Sequence, residues 1–324
     1  MKAVRVHDSS GPKGLNVDTL EDPKPVAGEV IVEVRAAGLN FPDVLLSYGK
    51  YQFKPAPPFI PGGEASGIVK SVGAGVASVK EGDRVAFTLL NGAFAELVAA
   101  PEMAVVKLPD AISFEVGAAT LLTYLTTIHA LVDRAAIRKG ETLLVLGAAG
   151  GVGVAAIQLG KLLGAKVLAA VSTEEKAAFC KEQGADETIV YSREDLKERV
   201  KVITSGNGAN VVYDAVGGNH SEQALRATAW EGRYLVVGFA AGDIPKIPLN
   251  LVLLKGCQIV GVFWGQFAMR DPARNNDNAK KIFSWVAEGK LKPHVDGAFP
   301  FARATEAFER MEQRLVKGKV VLVP

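Results

Sequence analysis

The sequence predicts an α/β chain built in two parts, a β-rich first third and a doubly wound parallel sheet. Three observations predict it. Residues 1–110 carry short apolar runs set between Gly/Pro clusters. From residue 142 onward, six short runs rich in Val, Ile and Leu follow one another, the first four separated by helical patterns. The first of these runs ends in a glycine-rich turn that opens a helix, Gly147-Ala148-Ala149-Gly150-Gly151-Val152-Gly153.

In the first third, Val30-Ile31-Val32-Glu33-Val34 and Ala65-Ser66-Gly67-Ile68-Val69 read as strands. Residues Lys54–Gly63 are barred from helix, because their prolines remove N–H donors and fix φ. A small barrel-like or sandwich arrangement is expected there. Residues 113–134 are apolar with small side chains and predict helix. The predicted parallel strands are 142–146, 166–171, 187–191, 210–216, 233–239 and 257–263, with helices such as 152–163 and 173–183 between them. Such unbroken apolar runs suit strands covered on both faces. Helices are expected over 277–288 and 302–316. A terminal strand, Lys319-Val320-Val321-Leu322-Val323, is expected to return to the N-terminal part.

Composition narrows the function classes. The formal net charge of the 324 residues is +2, too balanced for a basic nucleic-acid-binding surface, so no nucleic-acid partner is expected. The two cysteines, Cys180 and Cys257, form no CxxC pair, which excludes a four-cysteine structural zinc site. The start of the chain lacks the apolar run of a signal peptide, and no stretch suits a membrane helix. The expected compartment is the cytoplasm.

The glycine turn carries the strongest chemical signal. Small residues let a pyrophosphate approach the backbone, and free N–H groups at a helix start face its charge. Ala149, Gly150, Gly151, Val152 and Gly153 are therefore the expected phosphate cradle. The competing reading is a Gly-rich turn with no ligand. The end of the second strand decides which dinucleotide binds. NAD-preferring domains usually place a carboxylate there for the ribose 2′-hydroxyl. Here the strand ends Val171-Ser172-Thr173, with no acid at the tip. Ser172, Lys176 and Tyr191 are the expected partners of a 2′-phosphate, so NADPH is preferred to NADH. Glu174 and Glu175 add opposing charge nearby. Alternatively, Lys176 is a solvated helix residue and Tyr191 a packing residue.

The stretch Gly140–Lys161, GETLLVLGAAGGVGVAAIQLGK, resembles the signature of the zeta-crystallin and quinone oxidoreductase group of the medium-chain dehydrogenases/reductases. The segments Ala36-Ala37-Gly38-Leu39-Asn40 and Pro61-Gly62-Gly63-Glu64 resemble its GroES-like domain. Asp214-Ala215-Val216-Gly217-Gly218 and Val236-Val237-Gly238 resemble its nicotinamide-side loops. The resemblance implies a GroES-like β-rich catalytic domain, residues 1–122 and 265–324, interrupted by a Rossmann NADPH-binding domain, residues 123–264. It places the cofactor in the cleft between them. It also implies a homodimer joined at Rossmann edge strands, with residues 257–264 as the candidate edge.

Zinc-dependent members of the superfamily carry a Cys and a His where this sequence has Asn40 and Gly63. Neither is a normal zinc ligand, and His7, His129, His220 and His294 are scattered, so a metal-free site is expected. By the resemblance, Asn40 lies beside the nicotinamide and offers its amide to a substrate oxygen; the alternative is an Asn that merely satisfies a turn. Tyr51 faces the pocket as a hydroxyl donor, where the alternative is a wall residue. A second family tyrosine is replaced by Leu45. Thr127 is expected near the nicotinamide ribose, unless it only bonds its own helix backbone. Val216, Val237, Gly238, Phe239, Phe263 and Trp264 lie at the carboxyl ends of the later strands, where such sheets bind ligands; the aromatics either wall the nicotinamide and an aromatic substrate or fill a dimer interface. Asp43 is read as structural rather than as a base.

Without a metal, hydride addition to a conjugated acceptor is easier than alcohol oxidation, because the negative charge spreads to a remote oxygen that donors can stabilise. The expectation is NADPH-dependent reduction of a small-molecule quinone or related α,β-unsaturated carbonyl. The alternatives are an enoyl-thioester or enone reductase on the same fold, and a low-turnover, crystallin-like nucleotide-binding protein.

Overall fold

The computed structural model describes all residues, Met1–Pro324. In chain order the strands are β1 (Lys2–Val6), β2 (Leu15–Thr19), β3 (Glu29–Leu39), β4 (Glu64–Val72), β5 (Arg84–Thr88), β6 (Leu97–Pro101), β7 (Val105–Lys107), β8 (Thr142–Leu146), β9 (Lys166–Val171), β10 (Glu187–Val190), β11 (Ala209–Asp214), β12 (Thr228–Val236), β13 (Gln258–Gly261), β14 (Val295–Pro300) and β15 (Lys319–Val323). The helices are α1 (Phe41–Ser47), α2 (Phe114–Ala118), α3 (Leu121–Ile128), α4 (Gly151–Leu162), α5 (Glu174–Glu182), α6 (Leu196–Ile203), α7 (His220–Arg226), α8 (Asn250–Lys255), α9 (Trp264–Arg270), α10 (Pro272–Ala287) and α11 (Ala304–Glu312). None is long and apolar enough to cross a membrane.

The chain divides into two compact units, Met1–Leu122 with Asp271–Pro324, and Thr123–Arg270. The second junction lies six residues beyond the 264/265 boundary expected from sequence, because α9 stays with the continuous unit, where Phe267 stacks on His129 at 4.2 Å.

The discontinuous unit is the GroES-like part. Its main sheet runs β14-β15-β3-β4-β5-β7, with β6 also on β3, and β1 and β2 form a separate antiparallel pair. Phe87, Phe94 and Phe308 are fully buried in its core, and Phe94 and Phe308 meet edge to face at 6.1 Å between centroids. β15 runs antiparallel to β3 with Val320 opposite Leu39, and β4 runs antiparallel to β3 with Ala65 opposite Ala37. These two registers bring Lys319 and Glu64 to the end of β3, where Asn40 follows.

The continuous unit is a six-stranded parallel sheet in the order β10-β9-β8-β11-β12-β13. The first strand in sequence, β8, lies in the middle beside the fourth, β11, which is the doubly wound topology with its switch point between them. β8 and β9 are buried almost throughout, as their unbroken apolar runs require.

Several elements differ from the sequence expectation for local reasons. The helix expected over 113–134 is broken into α2, α3 and a six-residue π turn, His129–Arg134. Ser113 caps α2, and the Glu64 carboxylate accepts the Leu122 N–H at 2.8 Å in the first turn of α3. β11 stops at Asp214 rather than 216, because the Asp214 carboxylate takes the N–H groups of Val216 and Gly217 and turns the chain. β12 ends at Val236, three residues short of the expected end. β13 is shorter than expected at both ends. α10 starts five residues early, where Asp271 caps it and Pro272 takes the first turn. α11 ends before Arg314, whose φ is +60°.

At the amino ends of the parallel strands, Arg233 donates to both Glu141 oxygens at 2.9 and 2.7 Å. It also donates to the carbonyls of Ala135 and Asn210. Desolvation pushes the Glu141 carboxyl up, but its bonds to Arg233 and the Arg138 N–H outweigh this and hold it below the usual range. A depressed carboxylate contributes stability above its unfolded pKa and loses it as pH falls through the folded value. Arg233→Met is therefore expected to destabilise the protein by about 2–3 kcal/mol at pH 7, and by less as the pH drops below 4. Urea midpoints measured across that range check this; a loss of under half a kcal/mol at pH 7 would contradict it.

Candidate functional site

The glycine turn is shaped by one close approach. A Cβ on Gly153 would lie 2.4 Å from the Gly147 carbonyl oxygen and 2.6 Å from Ala148 backbone atoms, so α4 reaches β8 only with hydrogen at this position. Gly147 has φ +67°, and a Cβ there would strike Val216 at 2.7 Å. Gly150 differs from both. It caps α4 in extended conformation, and the nearest atom to an added Cβ is the Gly147 oxygen at 3.5 Å. The space beyond it is open. Gly150 brings no side chain to the helix start, so no side-chain acceptor serves the first-turn N–H groups of Gly151, Val152 and Gly153. Ala149 is buried beside them. The twelve-residue helix therefore presents an uncapped positive end to a backbone-wide opening, which suits a pyrophosphate.

The loop after β11 is fixed by Asp214. One carboxylate oxygen accepts from the Val216 and Gly217 N–H groups at 2.8 and 2.9 Å. The other accepts from Ser221 Oγ at 2.8 Å and from Tyr234 Oη. Its carbonyl accepts the Val237 and Gly238 N–H groups at 2.9 and 3.3 Å. Gly217 leaves room for Phe239, whose ring lies 2.8 Å from where a Cβ would be. Val216, Val237, Gly238 and Phe239 thus gather around Asp214, with Val216 against Gly147. Phe263 is exposed between β13 and α9, and Trp264 opens α9.

The expected 2′-phosphate residues lie at the ends of β9 and β10. Ser172 follows β9, and Thr173 caps α5 by accepting the Lys176 N–H at 3.2 Å. Tyr191 follows β10, and its ring meets that of His220 at 4.2 Å. Glu174, which would oppose a phosphate, is paired with Arg193, two residues past Tyr191. Burial pushes the nearby Cys180 thiol up to about 12 against the pull of Lys176, so it is no nucleophile.

Thr127 lies beside the glycine turn, its hydroxyl 3.5 Å from the Val152 carbonyl. It is fully buried, donates to the Thr123 carbonyl at 2.8 Å, and lies 3.0 Å from Tyr213 Oη. These bonds tie α3 to β11.

The GroES-like unit holds a second cluster. Asn40 Nδ2 donates to the Gly38 carbonyl at 3.1 Å and to Glu64 Oε1 at 2.9 Å, and Asn40 Oδ1 accepts from Lys319 Nζ at 2.7 Å. Lys319 also donates to Leu39 O and Glu64 Oε1, and the Lys319 and Glu64 side chains are only 5% and 1% exposed. Both amide hydrogens of Asn40 are spent inside the fold. Asn40 is thus held as a joint at the end of β3 by Gly38, Glu64 and Lys319. Asp43 accepts the N–H groups of Asn40 and Gly62, and burial pushes its carboxyl up to about 7. This agrees with the structural reading of that residue. Tyr51 is partly buried and makes no hydrogen bond within the chain. Burial first, and the Asp43 charge second, raise its phenol above the ordinary value, so it stays a donor at neutral pH.

Sequence reasoning missed the weight of Asp214, Lys319, Arg193 and His220. Asp214 had a signal, a lone acid at the end of an apolar strand just before two glycines. Lys319, at the head of a terminal strand, gave none without its distant partners.

Comparison with known proteins bears on these two units. Residues 26–110 match the family model described as "Alcohol dehydrogenase GroES-like domain", and residues 151–280 match "Zinc-binding dehydrogenase". A quinone oxidoreductase-like protein 2 homolog of Nematostella vectensis is 42% identical over 297 residues, 91% of this chain and 81% of that protein. The quinone oxidoreductase of Pseudomonas aeruginosa is 36% identical over 100% of this chain and 99% of its own. The chain belongs to the quinone oxidoreductase group of the medium-chain dehydrogenases/reductases. Among solved structures, the Escherichia coli quinone oxidoreductase complexed with NADPH superposes with a TM-score of 0.94 at 34% identity, covering 100% of both chains. The chain is thus a member of an oxidoreductase family, and the GroES-like and Rossmann parts expected from its motifs are those of that family.

The two cap glycines separate binding from folding. Gly150→Ala is expected to shift the thermal midpoint by under about 2 °C while weakening dinucleotide affinity about tenfold or more, since its Cβ fills only the open space. Gly153→Ala is expected to cost about 2 kcal/mol or more of stability through overpacking. Calorimetry and fluorescence titration check both; a Gly150→Ala protein that binds NADPH as the parent does would contradict the cradle.

Proposed function

We propose that this chain is an NADPH-dependent reductase of quinones or related α,β-unsaturated carbonyls that works without a metal ion. The observation that carries the reading is the uncapped first turn of α4, with open space beyond Gly150. When bound, NADPH supplies the hydride. The chain's own residues bind and orient it. The N–H groups of Gly151, Val152 and Gly153 take the pyrophosphate. Ser172, Lys176 and Tyr191, joined by Arg193, take the 2′-phosphate, and the absence of a carboxylate at the end of β9 leaves room for it. Val216, Val237, Gly238 and Phe239 stand beside the dinucleotide, and Phe263 and Trp264 supply aromatic wall. The NADPH held by the E. coli relative supports this cofactor assignment.

Tyr51 is the proposed donor to the acceptor oxygen, because its phenol is kept neutral and unspent. Asn40 keeps the end of β3 in place. The donor set around Asn40 does not fit zinc: Gly63 offers no ligand, and Asn40 Oδ1 faces an ammonium at 2.7 Å that would repel a dication. Charge on the reduced acceptor is instead delocalised within a conjugated product, which is why a quinone or enone suits this site.

The same reading extends to a homodimer. β13 is a sheet edge with unpaired backbone groups. Around it Trp230, Leu253 and Leu254 are 71%, 79% and 72% exposed, and Ile259 on the edge itself is 39% exposed. A second copy of the chain, pairing edge to edge, covers all four.

Two experiments test these statements. NADPH oxidation followed at 340 nm with quinones, enones and enoyl-thioesters is expected to show quinone or enone turnover that survives chelators. Turnover confined to enoyl-thioesters, or lost on chelation, would contradict the proposal. Sedimentation is expected to show a dimer that Leu253→Glu with Leu254→Glu converts to a monomer; a monomeric parent protein would overturn the interface.

A further inference from the structure

His220 opens α7, two residues past the turn Gly217-Gly218 that Asp214 holds. Its ring lies against Tyr191, tilted by 40° at 4.2 Å between centroids. The residue is partly exposed, yet its Nδ1 is out of solvent and has no hydrogen-bond partner in the chain. A phenylalanine or leucine would cover Tyr191 equally well and leave no polar atom stranded. A half-turn about Cβ–Cγ exchanges Nδ1 for Cδ2. A carbon then fills the dry position, and Nδ1 moves to the opposite edge of the ring.

We propose that His220 is a specificity-determining residue: its imidazole donates a hydrogen bond to the 2′-phosphate of NADPH, beside the Tyr191 hydroxyl. This deepens the cofactor reading and rests on it. Tyr191 directly follows β10, and the ring contact sets the imidazole beside the phenol that the cofactor reading assigns to the 2′-phosphate. The carboxylate closest in influence, Asp214, is spent on Val216, Gly217, Ser221 and Tyr234. Its charge favours a donating imidazole, although burial acts more strongly and holds His220 below the ordinary histidine range.

The chain has four histidines, so imidazole signals are separable in long-range ¹H–¹⁵N correlation spectra of the whole protein. His220→Phe, which keeps a ring against Tyr191, identifies the His220 signals. Titration of the unsubstituted protein with 2′,5′-ADP is expected to move them, and titration with 5′-ADP to leave them in place. His220→Phe is expected to raise the Kd for NADPH about fivefold to twentyfold and to leave that for NADH within about twofold. His220→Gln, which restores a donor, is expected to recover part of the loss. Unmoved signals in the unsubstituted protein with 2′,5′-ADP bound more tightly than 5′-ADP would overturn the role of His220 alone. Equal affinity for the two nucleotides would overturn the 2′-phosphate site, and His220 with it.

Discussion

The arrangement depends on the distance between the first turn of α4 and the end of β8. Gly153 sits where a single methyl would collide with the backbone of Gly147 and Ala148. This contact sets where the helix begins, and therefore where its unpaired N–H groups point. The second glycine, Gly147, does the same on the other side, holding the loop of Val216 against the turn. Gly150 has no such packing constraint; its missing side chain serves the space in front of the helix. A structural glycine and an open glycine, three residues apart, give a rigid cradle.

The GroES-like unit solves a different problem, the placement of charge in a dry interior. Two antiparallel registers, β15 on β3 and β4 on β3, deliver a lysine and a glutamate to one asparagine. Burying either charge alone would cost several kcal/mol, so the ion pair persists only with its remaining hydrogen bonds met. They are met by Leu39 O, Asn40 and the Leu122 N–H. The amide of Asn40 is thereby engaged inside the fold, whereas burial keeps the Tyr51 phenol protonated.

How much of this the sequence reveals follows from the range of the forces involved. β8, β9 and β15 lie where their unbroken apolar runs put them, because burial on both faces is written in consecutive residues. The glycine turn is legible for the same reason, since strand, turn and helix are adjacent. The ends of β11 and β12 are less so. They are set by the Asp214 carboxylate and carbonyl, which act on residues of two different loops. Least legible are side-chain commitments. The contact of Asn40 with Lys319, 279 residues away in sequence, has no local signal. The contact of Thr127 with Tyr213, 86 residues away, has no local signal either.

The central claim is that a dinucleotide rests its pyrophosphate on the first turn of α4. A crystal structure of this protein grown with NADPH tests it most directly. The account predicts pyrophosphate oxygens within hydrogen-bond distance of the N–H groups of Gly151 and Val152. A dinucleotide bound elsewhere, with the turn facing only water, would contradict it.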